Sequence, residues 1–422
     1  MTKGYLIKIF VSLAMMLTAV TAQENVDAIE KARQAKEAAD KAAAEAAAAT
    51  SAAIEAAAAK AAKEAREEAK RKKEEEEARK IAEAKAAEEA ELDAAAAAAA
   101  EEAKRKMAAE LGLEVDDPEV EEAVLSQISK GTTFFANNTF GVELAEEICN
   151  SVKCAEQIRY VSTGGEADMY AMRLARAYTG RSKILKFEGG YHGMCSEAQM
   201  SLAPAQLSNF PQAVPDSAGI PESVKSEVLV APFNDIAFIE NILAEESSEI
   251  AGIIVEPLQR LIPPIKNFLP TLRKLCTKYN ILLIFDEVVT GYRFSYGGAQ
   301  EYYGVTPDIC TLGKIIGGGF PLAAIAGKKE IMDHFDKEKV GSDGFLMQIG
   351  TLSGNPIASV AGLKTLEILK RPGSYEKLRQ NGQRIMDFAS KKLKDNNVDF
   401  KVVGDQTLFE IIFTNEEVLN YR

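Results

Sequence analysis

Two residues whose types could do chemistry follow two short apolar runs of the sequence. Lys314 lies in the run Thr311-Leu-Gly-Lys-Ile-Ile-Gly-Gly-Gly-Phe-Pro-Leu-Ala-Ala324, between an apolar segment and a triple glycine. Asp286 lies in Ile281-Leu-Leu-Ile-Phe-Asp-Glu-Val-Val289, a pattern typical of a buried parallel strand. Because open α/β sheets carry ligand-binding residues at the carboxyl ends of their strands, we expect both side chains at one sheet edge.

A lysine and an acid in this arrangement suit a Schiff-base cofactor. A lysine amine can form an imine with pyridoxal phosphate, and an acid on the pyridinium nitrogen keeps the ring electron-withdrawing. Lys314 and Asp286 are of these two types. The alternative is a solvated loop lysine and an aspartate that caps a helix, and either residue alone would favour it.

A phosphate-bearing cofactor also needs an anion site, and one segment predicts it. Ile158–Val161 is typical of a strand, Ser162-Thr-Gly-Gly165 of a tight turn, and Glu166 to Tyr178 of a helix closed by Gly180. Free backbone amides at such a helix start can hold a phosphate. An ordinary strand-turn-helix junction with a Ser or Thr cap is the alternative.

A second glycine-rich loop follows the run Ile184-Leu-Lys-Phe187 and carries Tyr191 and His192. An aromatic side chain there could stack on a pyridine ring. The alternative is a core tyrosine beside a hydrogen-bonded histidine. Since the chain has only two histidines, a histidine-based metal site is not predicted.

Two further segments have the same form. Gly252-Ile-Ile-Val-Glu-Pro-Leu-Gln259 predicts a strand that ends at an acid and a proline, with Gln259 facing the ligand edge. Gln348-Ile-Gly-Thr-Leu-Ser-Gly-Asn-Pro356 places Thr351 and other small residues before an apolar helix, which gives a further candidate phosphate contact. Each segment alone would also fit a plain strand end or a capped helix.

Taken together, five motifs resemble those of the class III aminotransferases in order and spacing. They are Ser162-Thr-Gly-Gly-Glu-Ala167, Phe187-Glu-Gly-Gly-Tyr-His-Gly193, Asp286-Glu-Val-Val-Thr-Gly291, Thr311-Leu-Gly-Lys314 and Gly350-Thr-Leu-Ser-Gly-Asn-Pro356. Their joint occurrence is far more specific than any single pattern. The resemblance runs from about residue 117 to the end of the sequence and is greatest to the glutamate-1-semialdehyde 2,1-aminomutases and their close relatives. It implies the α/β fold type I of transferases that depend on pyridoxal phosphate, with a mostly parallel sheet covered by helices on both faces.

The resemblance implies a role for each residue near the cofactor ring. Lys314 matches the lysine that holds the cofactor covalently and moves protons between the cofactor and the substrate carbon. Asp286 matches the acid on the pyridine nitrogen. Val288 and Tyr191 match the residues on the two ring faces, and His192 is included in this site beside Tyr191.

The phosphate contacts are implied in the same way. The amides of Gly164 and Gly165 match those that hold the phosphate. Thr351 matches a residue that reaches the phosphate bound in the partner subunit, so the resemblance implies a homodimer. Gln259 lies near the position from which relatives contact the ring hydroxyl, although the local pattern differs.

The sequence departs from the family pattern at three places. Threonine is usual where Gly165 stands, so one hydroxyl contact to the phosphate is lost. No counterpart precedes Asp117 for the small strands with which relatives bind the substrate carboxylate. The pattern of the C-terminal domain also stops early, so we expect a large cofactor domain at 113–370 and a truncated small domain at 371–422.

The N-terminal residues have a different character. Residues 1–22 contain Lys3, Lys8, an apolar stretch from Ile9 to Leu17 and a small-residue site at Val20-Thr-Ala22, which is typical of a signal peptide and too short for a confident membrane span. A start-of-chain apolar helix or a misassigned first exon is the alternative. Residues 23–112 are rich in Ala, Glu and Lys but lack a heptad stripe, which predicts a solvated helix or a disordered spacer, with a weak coiled coil as the alternative.

Charge and cysteine content limit the remaining classes. The formal net charge of -13 argues against a nucleic-acid partner. The five cysteines are odd in number and form no paired metal motif, which is typical of free thiols in an intracellular enzyme. This conflicts with a signal peptide, and we leave the localisation open between secretory or organellar entry and the cell interior.

The expected function is amino-group transfer that depends on pyridoxal phosphate, acting on a small amino or keto substrate. The aminomutase reaction, which moves an amino group within one molecule, is the first interpretation. An intermolecular aminotransferase is the second. A catalytically incomplete cofactor-binding domain carried on a structural helical protein is the third.

Overall fold

A computed structural model describes residues 117–422 except 135, 206 and 208, together with a few positions between 37 and 87. The chain divides into two units after residue 113. The described positions of the first unit are helical and exposed, with i,i+4 ion pairs such as Glu68–Lys72 and Glu76–Lys80. The signal peptide and most of the predicted helical extension lie outside the described residues, so both stay predictions.

The second unit is built on a seven-stranded sheet with the order β1-β7-β6-β5-β4-β2-β3. Strand β7 runs antiparallel to β1 and β6, and the other pairs are parallel. Six strands therefore end at one edge, and the mostly parallel sheet predicted from the sequence is confirmed. The strands are β1 (Gln157–Val161), β2 (Lys183–Phe187), β3 (Val228–Ala231), β4 (Ile250–Val255), β5 (Leu282–Glu287), β6 (Ile309–Leu312) and β7 (Ala323–Gly327).

Helices cover both faces of this sheet, as the sequence predicted. Their bounds are α1 (Pro118–Ile128), α2 (Thr139–Ser151), α3 (Gly164–Thr179), α4 (Glu222–Lys225), α5 (Ile236–Glu246), α6 (Phe268–Tyr279), α7 (Gly298–Tyr302), α8 (Lys329–Met332), α9 (Lys337–Gly344) and α10 (Pro356–Lys370). Short 3-10 turns occupy Lys314–Gly317 and Asp333–Phe335.

The alternation of side chains along β5 divides the core between the two faces. Leu283 and Phe285 pack in the cluster that includes α2, α5 and α6, whereas Ile284 packs in the cluster that includes α3. Because a central parallel strand is buried on both faces, its sequence is a continuous apolar run. The same packing fixes the direction in which Asp286 leaves the strand.

Local capping explains where the main helices begin. The Asp117 carboxylate accepts a hydrogen bond from the Glu119 amide at 2.9 Å, and Pro118 is the first helical residue. The Asn355 side chain caps α10 by accepting from the Ala358 amide at 3.0 Å. This second cap places the segment that carries Thr351 directly before α10.

The C-terminal residues form a long helix and a hairpin that pack on the large domain. They are α11 (Ser374–Asp395), β8 (Lys401–Asp405) and β9 (Leu408–Ile412). Tyr375 donates a hydrogen bond to the Tyr292 carbonyl at 2.9 Å, and Arg379 donates to the Phe294 carbonyl at 2.6 Å. In the part of the chain that the structure describes, no helix combines the length and apolar character needed to cross a membrane.

Candidate active site

The strand ends bring Asp286 and Lys314 to one edge of the sheet. Asp286 pairs with Thr311 in the register of β5 and β6, and Lys314 follows β6 by two residues. The first turns after β1 and β2 reach the same edge because those strands point in the same direction. The structure thus places the acid, the lysine and both glycine-rich turns at the carboxyl edge, where α/β enzymes bind ligands.

Asp286 is a buried acid with directed donors, not a helix cap. Its carboxylate accepts from the Val288 amide at 3.1 Å, and its second oxygen lies 2.8 Å from His192 Nδ1. The carboxyl is 4% exposed and the imidazole 1%. Burial lowers the pKa of His192, and the hydrogen bond to Asp286 opposes this effect. A neutral imidazole that carries its hydrogen on Nδ1 therefore donates to Asp286.

Two further residues that lie beside Asp286, Thr311 and Asp168, were not predicted from the sequence. Thr311 Oγ1 lies 2.6 Å from Asp168 Oδ1 and 3.4 Å from Asp286 Oδ1. Asp168 stands on α3 and is 2% exposed. The available signal was its position four residues after Gly164, because one helical turn returns a side chain to the same face of the helix.

Glu256, at the end of β4, is the third acid of this edge. Its carboxylate accepts a hydrogen bond from the Tyr191 amide at 2.9 Å, so it holds the loop that carries Tyr191 and His192. Burial, followed by the nearby Asp286, raises the pKa of Glu256 to about 8. A strongly perturbed acid beside another acid is common at functional sites.

Lys314 adopts a backbone conformation that is rare for a residue with a side chain. Its φ is +45°, it begins the 3-10 turn after β6, and its side chain is exposed. A non-glycine residue in the left-handed region costs about 1 to 3 kcal/mol and is found preferentially where function requires it. The strain supports a functional lysine over an incidental loop residue.

The turn after β1 combines a helix cap with two free amides. Thr163 and Glu166 form a capping box, in which the Glu166 carboxylate accepts from the amides of Ser162 and Thr163 at 2.9 Å. Within this described turn, the amides of Gly164 and Gly165 are left for a ligand. The helix cap and the phosphate site, which the sequence offered as alternatives, are both compatible with this geometry.

Val288 and Tyr191, the predicted residues of the two ring faces, lie on the loops that follow β5 and β2. A Cβ added at Gly164 would meet Val288 Cγ1 at 2.8 Å, so Val288 lies directly against the turn Ser162–Gly165, which we call the phosphate turn after its predicted ligand. Tyr191 is 41% exposed, which excludes the core tyrosine considered from the sequence. The Arg260 guanidinium lies 5.5 Å from the centre of its ring.

Gly165, where threonine is usual in the family, lies against another backbone. A Cβ at Gly165 would be 3.1 Å from the Cα of Gly193, and a Cβ at Gly193 would be 2.3 Å from the Cα of Gly165. Gly193 has a φ of +84°. The crossing of these two glycine backbones fixes the distance between the phosphate turn and the loop of Tyr191.

Thr351 does not join the strand-end cluster within one chain. It is exposed in the segment before α10, where Met347 and Ile349 are 61% and 81% exposed. A cleft of about 750 Å³ lies beside this segment, between α2 and β1, and includes Arg159 and Gln348. None of the predicted cofactor-binding residues lines this cleft. The predicted contact of Thr351 with a phosphate stays a prediction.

The residues present fit pyridoxal phosphate. Asp286 is a buried acceptor for a pyridinium N–H, the amides of Gly164 and Gly165 suit a phosphate, and Lys314 supplies an amine for the carbonyl. Two buried acceptors of the described chain also lack a partner, His192 Nε2 and Gln259 Oε1. Gln259 donates to the Glu188 carbonyl at 2.8 Å, which holds its amide beside the same loop.

The chain is similar to known proteins of one enzyme family. Residues 107–406 match the sequence model of the family Aminotransferase class-III. The chain is 43% identical over 307 residues to a glutamate-1-semialdehyde 2,1-aminomutase of Desulforamulus reducens, covering 72% of this chain and 69% of that protein. An omega-transaminase from Sphaerobacter thermophilus is 37% identical with a TM-score of 0.68, covering 72% and 70% of the two chains. A transaminase with PLP bound is 31% identical with a TM-score of 0.66, covering 71% and 69%.

Proposed function

Because the chain belongs to the class III aminotransferases, whose cofactor is pyridoxal phosphate, we propose that it transfers an amino group within glutamate 1-semialdehyde to give 5-aminolevulinate. The similarity to an aminomutase at 43% identity supports this choice of reaction. The observation that carries the proposal is the meeting of a strained, exposed Lys314 with the buried pair of Asp286 and His192 at adjacent strand ends.

Each residue of the edge has one task in this proposal. When bound, pyridoxal phosphate supplies an electron-withdrawing ring that stabilises negative charge on the substrate carbon. Asp286 holds a proton on the ring nitrogen, and His192 orients Asp286 through the 2.8 Å contact. The amides of Gly164 and Gly165 hold the phosphate.

Lys314 is the residue that moves protons in this proposal. Its backbone strain fixes the start of its side chain at the end of β6, and the adjoining Gly313 lies against Val288, where an added Cβ would be 3.1 Å from Val288 Cγ1. Val288 thereby lies between the lysine-bearing turn and the phosphate turn. An amine in this position could move a proton between a substrate carbon and the cofactor, as amino-group transfer requires.

The proposal includes a homodimer. Met347, Ile349 and Leu352 flank Thr351 and are all more than half exposed, which is unusual for large apolar side chains grouped on one segment. A second copy that covers them would place Thr351 over its partner's phosphate. Measurement of the molar mass in solution tests this part, and a monomer that retains full activity would contradict it.

Covalent labelling tests the cofactor assignment. The full chain is loaded with pyridoxal phosphate and reduced with borohydride, and the attachment site is mapped by peptide mass spectrometry. We expect the label on Lys314 and none in Lys314→Ala. Lys328→Ala is a matched control because Lys328 pairs with Asp308 and should leave the labelling unchanged. Labelling that survives unchanged in Lys314→Ala would reject the assignment.

An intermolecular aminotransferase is the second candidate, supported by the similarity to an omega-transaminase at 37% identity. The two candidates differ in how many substrates they need. A mutase converts glutamate 1-semialdehyde alone, whereas an intermolecular enzyme turns over only with an amino donor and a keto acceptor together. Cofactor labelling without turnover in either assay would instead favour a catalytically incomplete domain.

A further inference from the structure

Asp168 is a buried acid next to Asp286 that no family motif singles out. It lies on α3, the helix that begins at the phosphate turn, and is 2% exposed. The Thr311 hydroxyl joins the two carboxyl groups, with 2.6 Å from Oγ1 to Asp168 and 3.4 Å to Asp286. Asp168 therefore reaches the cofactor acid from the element that also holds the phosphate.

Two buried carboxyl groups linked in this way are expected to hold one proton between them. Neither Asp168 nor Asp286 forms an ion pair with an arginine or lysine of the described chain. Two adjacent carboxylates repel each other strongly when water is excluded, so one of them stays neutral. Which of the two keeps the proton depends on the hydrogen-bond donors around each.

The donors favour charge on Asp286. This carboxylate accepts from the Val288 amide and from His192, and hydrogen bonds to a carboxylate stabilise its charged form. Burial and then the nearby Asp286 raise the pKa of Asp168 well above its usual range. Other titratable groups also act on this cluster, namely Glu256 at the end of β4, Cys195 in the loop after β2, and Lys186 on β2.

We propose that Asp168 is a positioning residue of the cofactor site, which as a neutral acid gives its hydrogen to Thr311 Oγ1 and turns the Thr311 hydroxyl hydrogen towards Asp286. Asp286 then has three donors and is held charged, in one orientation. With an ionised Asp168, the Thr311 hydrogen would turn to Asp168 instead, and Asp286 would lose that donor. On the proposed function, this arrangement aims Asp286 at the ring nitrogen.

A metal ion is the competing explanation for the same cluster. Ligand atoms of Asp168, His192 and Asp286 all lie within 4.8 Å of one another. A divalent cation would require both carboxyls to be ionised, whereas the proposal requires one neutral acid. The protonation state of Asp168 therefore separates the two explanations.

Infrared difference spectroscopy measures that state on the full chain loaded with pyridoxal phosphate. At neutral pH, the wild type minus Asp168→Asn should show a protonated-carboxyl stretch. Asp308→Asn is the matched control because Asp308 is also buried but is paired with Arg273 and Lys328, so its difference should show a carboxylate band. If the Asp168 difference shows only carboxylate, or if purified protein holds one divalent metal per chain, the proposal is overturned.

A second readout follows the ring nitrogen itself. With cofactor labelled at the ring nitrogen with ¹⁵N, Asp168→Asn should keep the wild-type chemical shift, because the amide still donates to Thr311. Asp168→Val and Thr311→Val break the same bridge and should share a changed shift and about tenfold weaker cofactor binding. An unchanged shift in both valine variants would overturn the proposal. If Asp168→Val does not fold, Thr311→Val and Asp168→Asn still decide it.

The role of Asp168 and the proposed amino transfer can each be rejected while the other stands. Borohydride labelling at Lys314 with no protonated Asp168 would reject only the role of Asp168. A protonated Asp168 with the predicted nitrogen shifts, but no amino transfer from any substrate, would reject only the proposed reaction.

Discussion

Two buried aspartates at opposite edges of the sheet have opposite electrostatic surroundings. Asp308 precedes β6 and contacts Arg273 and Lys328 at 2.6 Å each, and it also accepts from the Leu283 amide. Burial acts to raise the pKa of Asp308, but these cationic and amide partners outweigh it and lower the pKa. Asp168, at the carboxyl edge, faces another acid, and its pKa is raised.

The difference separates a stabilising carboxylate from one that serves a ligand. At the amino edge, the charge of Asp308 is neutralised by Arg273 of α6 and by Lys328, which follows β7. Its carboxyl also accepts from Leu283 of β5, so it joins these three elements. At the carboxyl edge, the acids Asp168, Asp286 and Glu256 are crowded without an arginine or lysine ion pair in the described chain. Such an arrangement costs stability and is typical of a site that a cationic ligand group completes.

Asp286→Asn should give the largest change in activity. Loss of the charge that keeps the ring nitrogen protonated should reduce kcat/KM for amino transfer by about 10²- to 10³-fold. The free energy of unfolding should stay within about 1 kcal/mol of wild type, because the amide has nearly the same size as the carboxylate and its oxygen can still accept a hydrogen bond from the Val288 amide. Steady-state kinetics and denaturant unfolding of the same preparation measure both. A variant with normal activity would show that Asp286 is not the acid of the ring nitrogen.

Asp308→Asn should lower the stability of the fold and leave the activity unchanged, the reverse of Asp286→Asn. It leaves Arg273 and Lys328 without their shared carboxylate, which should cost about 2 to 4 kcal/mol of stability. The cost should disappear as the pH falls, since the stability that the lowered pKa of Asp308 provides is fully present above the unfolded pKa of about 3.9 and is lost as the pH falls through the folded pKa. Unfolding curves at neutral and acidic pH measure this. Activity per folded molecule should not change, and a large loss there would erase the contrast between the two edges.

Much of the carboxyl edge could be predicted from the sequence because strands, turns and glycines leave local patterns. The strand before Asp286 was predicted at Ile281–Val289 and lies at Leu282–Glu287, and the helix after the phosphate turn was predicted from Glu166 and begins at Gly164. The helix starts earlier because the capping box of Thr163 and Glu166 includes both glycines. These features depend on neighbouring residues only.

The rest depends on contacts between distant segments. Asp168 looks like an ordinary polar residue of an amphipathic helix, and only the packing of α3 against β6 shows that it is buried beside Thr311. The crossing of Gly165 and Gly193 likewise joins two loops separated by a helix and a strand. The proposed role of Thr351 depends on a proposed second subunit, which the pattern of one chain does not place.

Two glycine substitutions, one at each edge of the sheet, test whether the contrast between the edges also holds for the backbone. Gly193→Ala would bring a Cβ within 2.3 Å of the Gly165 backbone, and Gly327→Ala at the amino edge would bring one within 2.8 Å of the Asp308 carbonyl. Each should cost about 2 kcal/mol of stability. Only Gly193→Ala should also weaken cofactor binding, because it moves the phosphate turn. Equal cofactor affinity in the two variants would show that the glycine crossing does not shape the phosphate site.

Asp168→Asn should give the smallest change, and its sign opposes that of Asp308→Asn. Because the pKa of Asp168 is raised in the folded state, the folded state keeps a proton that the unfolded state loses above about pH 3.9. Asp168 therefore reduces the free energy of unfolding as the pH rises from about 3.9 towards the folded pKa. The amide cannot ionise in either state. Asp168→Asn should therefore be more stable than wild type by about 1 kcal/mol at neutral pH, and the difference should vanish in acid. Urea unfolding of the cofactor-free protein across this pH range measures it. A variant that is less stable than wild type at neutral pH would place Asp168 with Asp308, among the carboxylates that stabilise the fold.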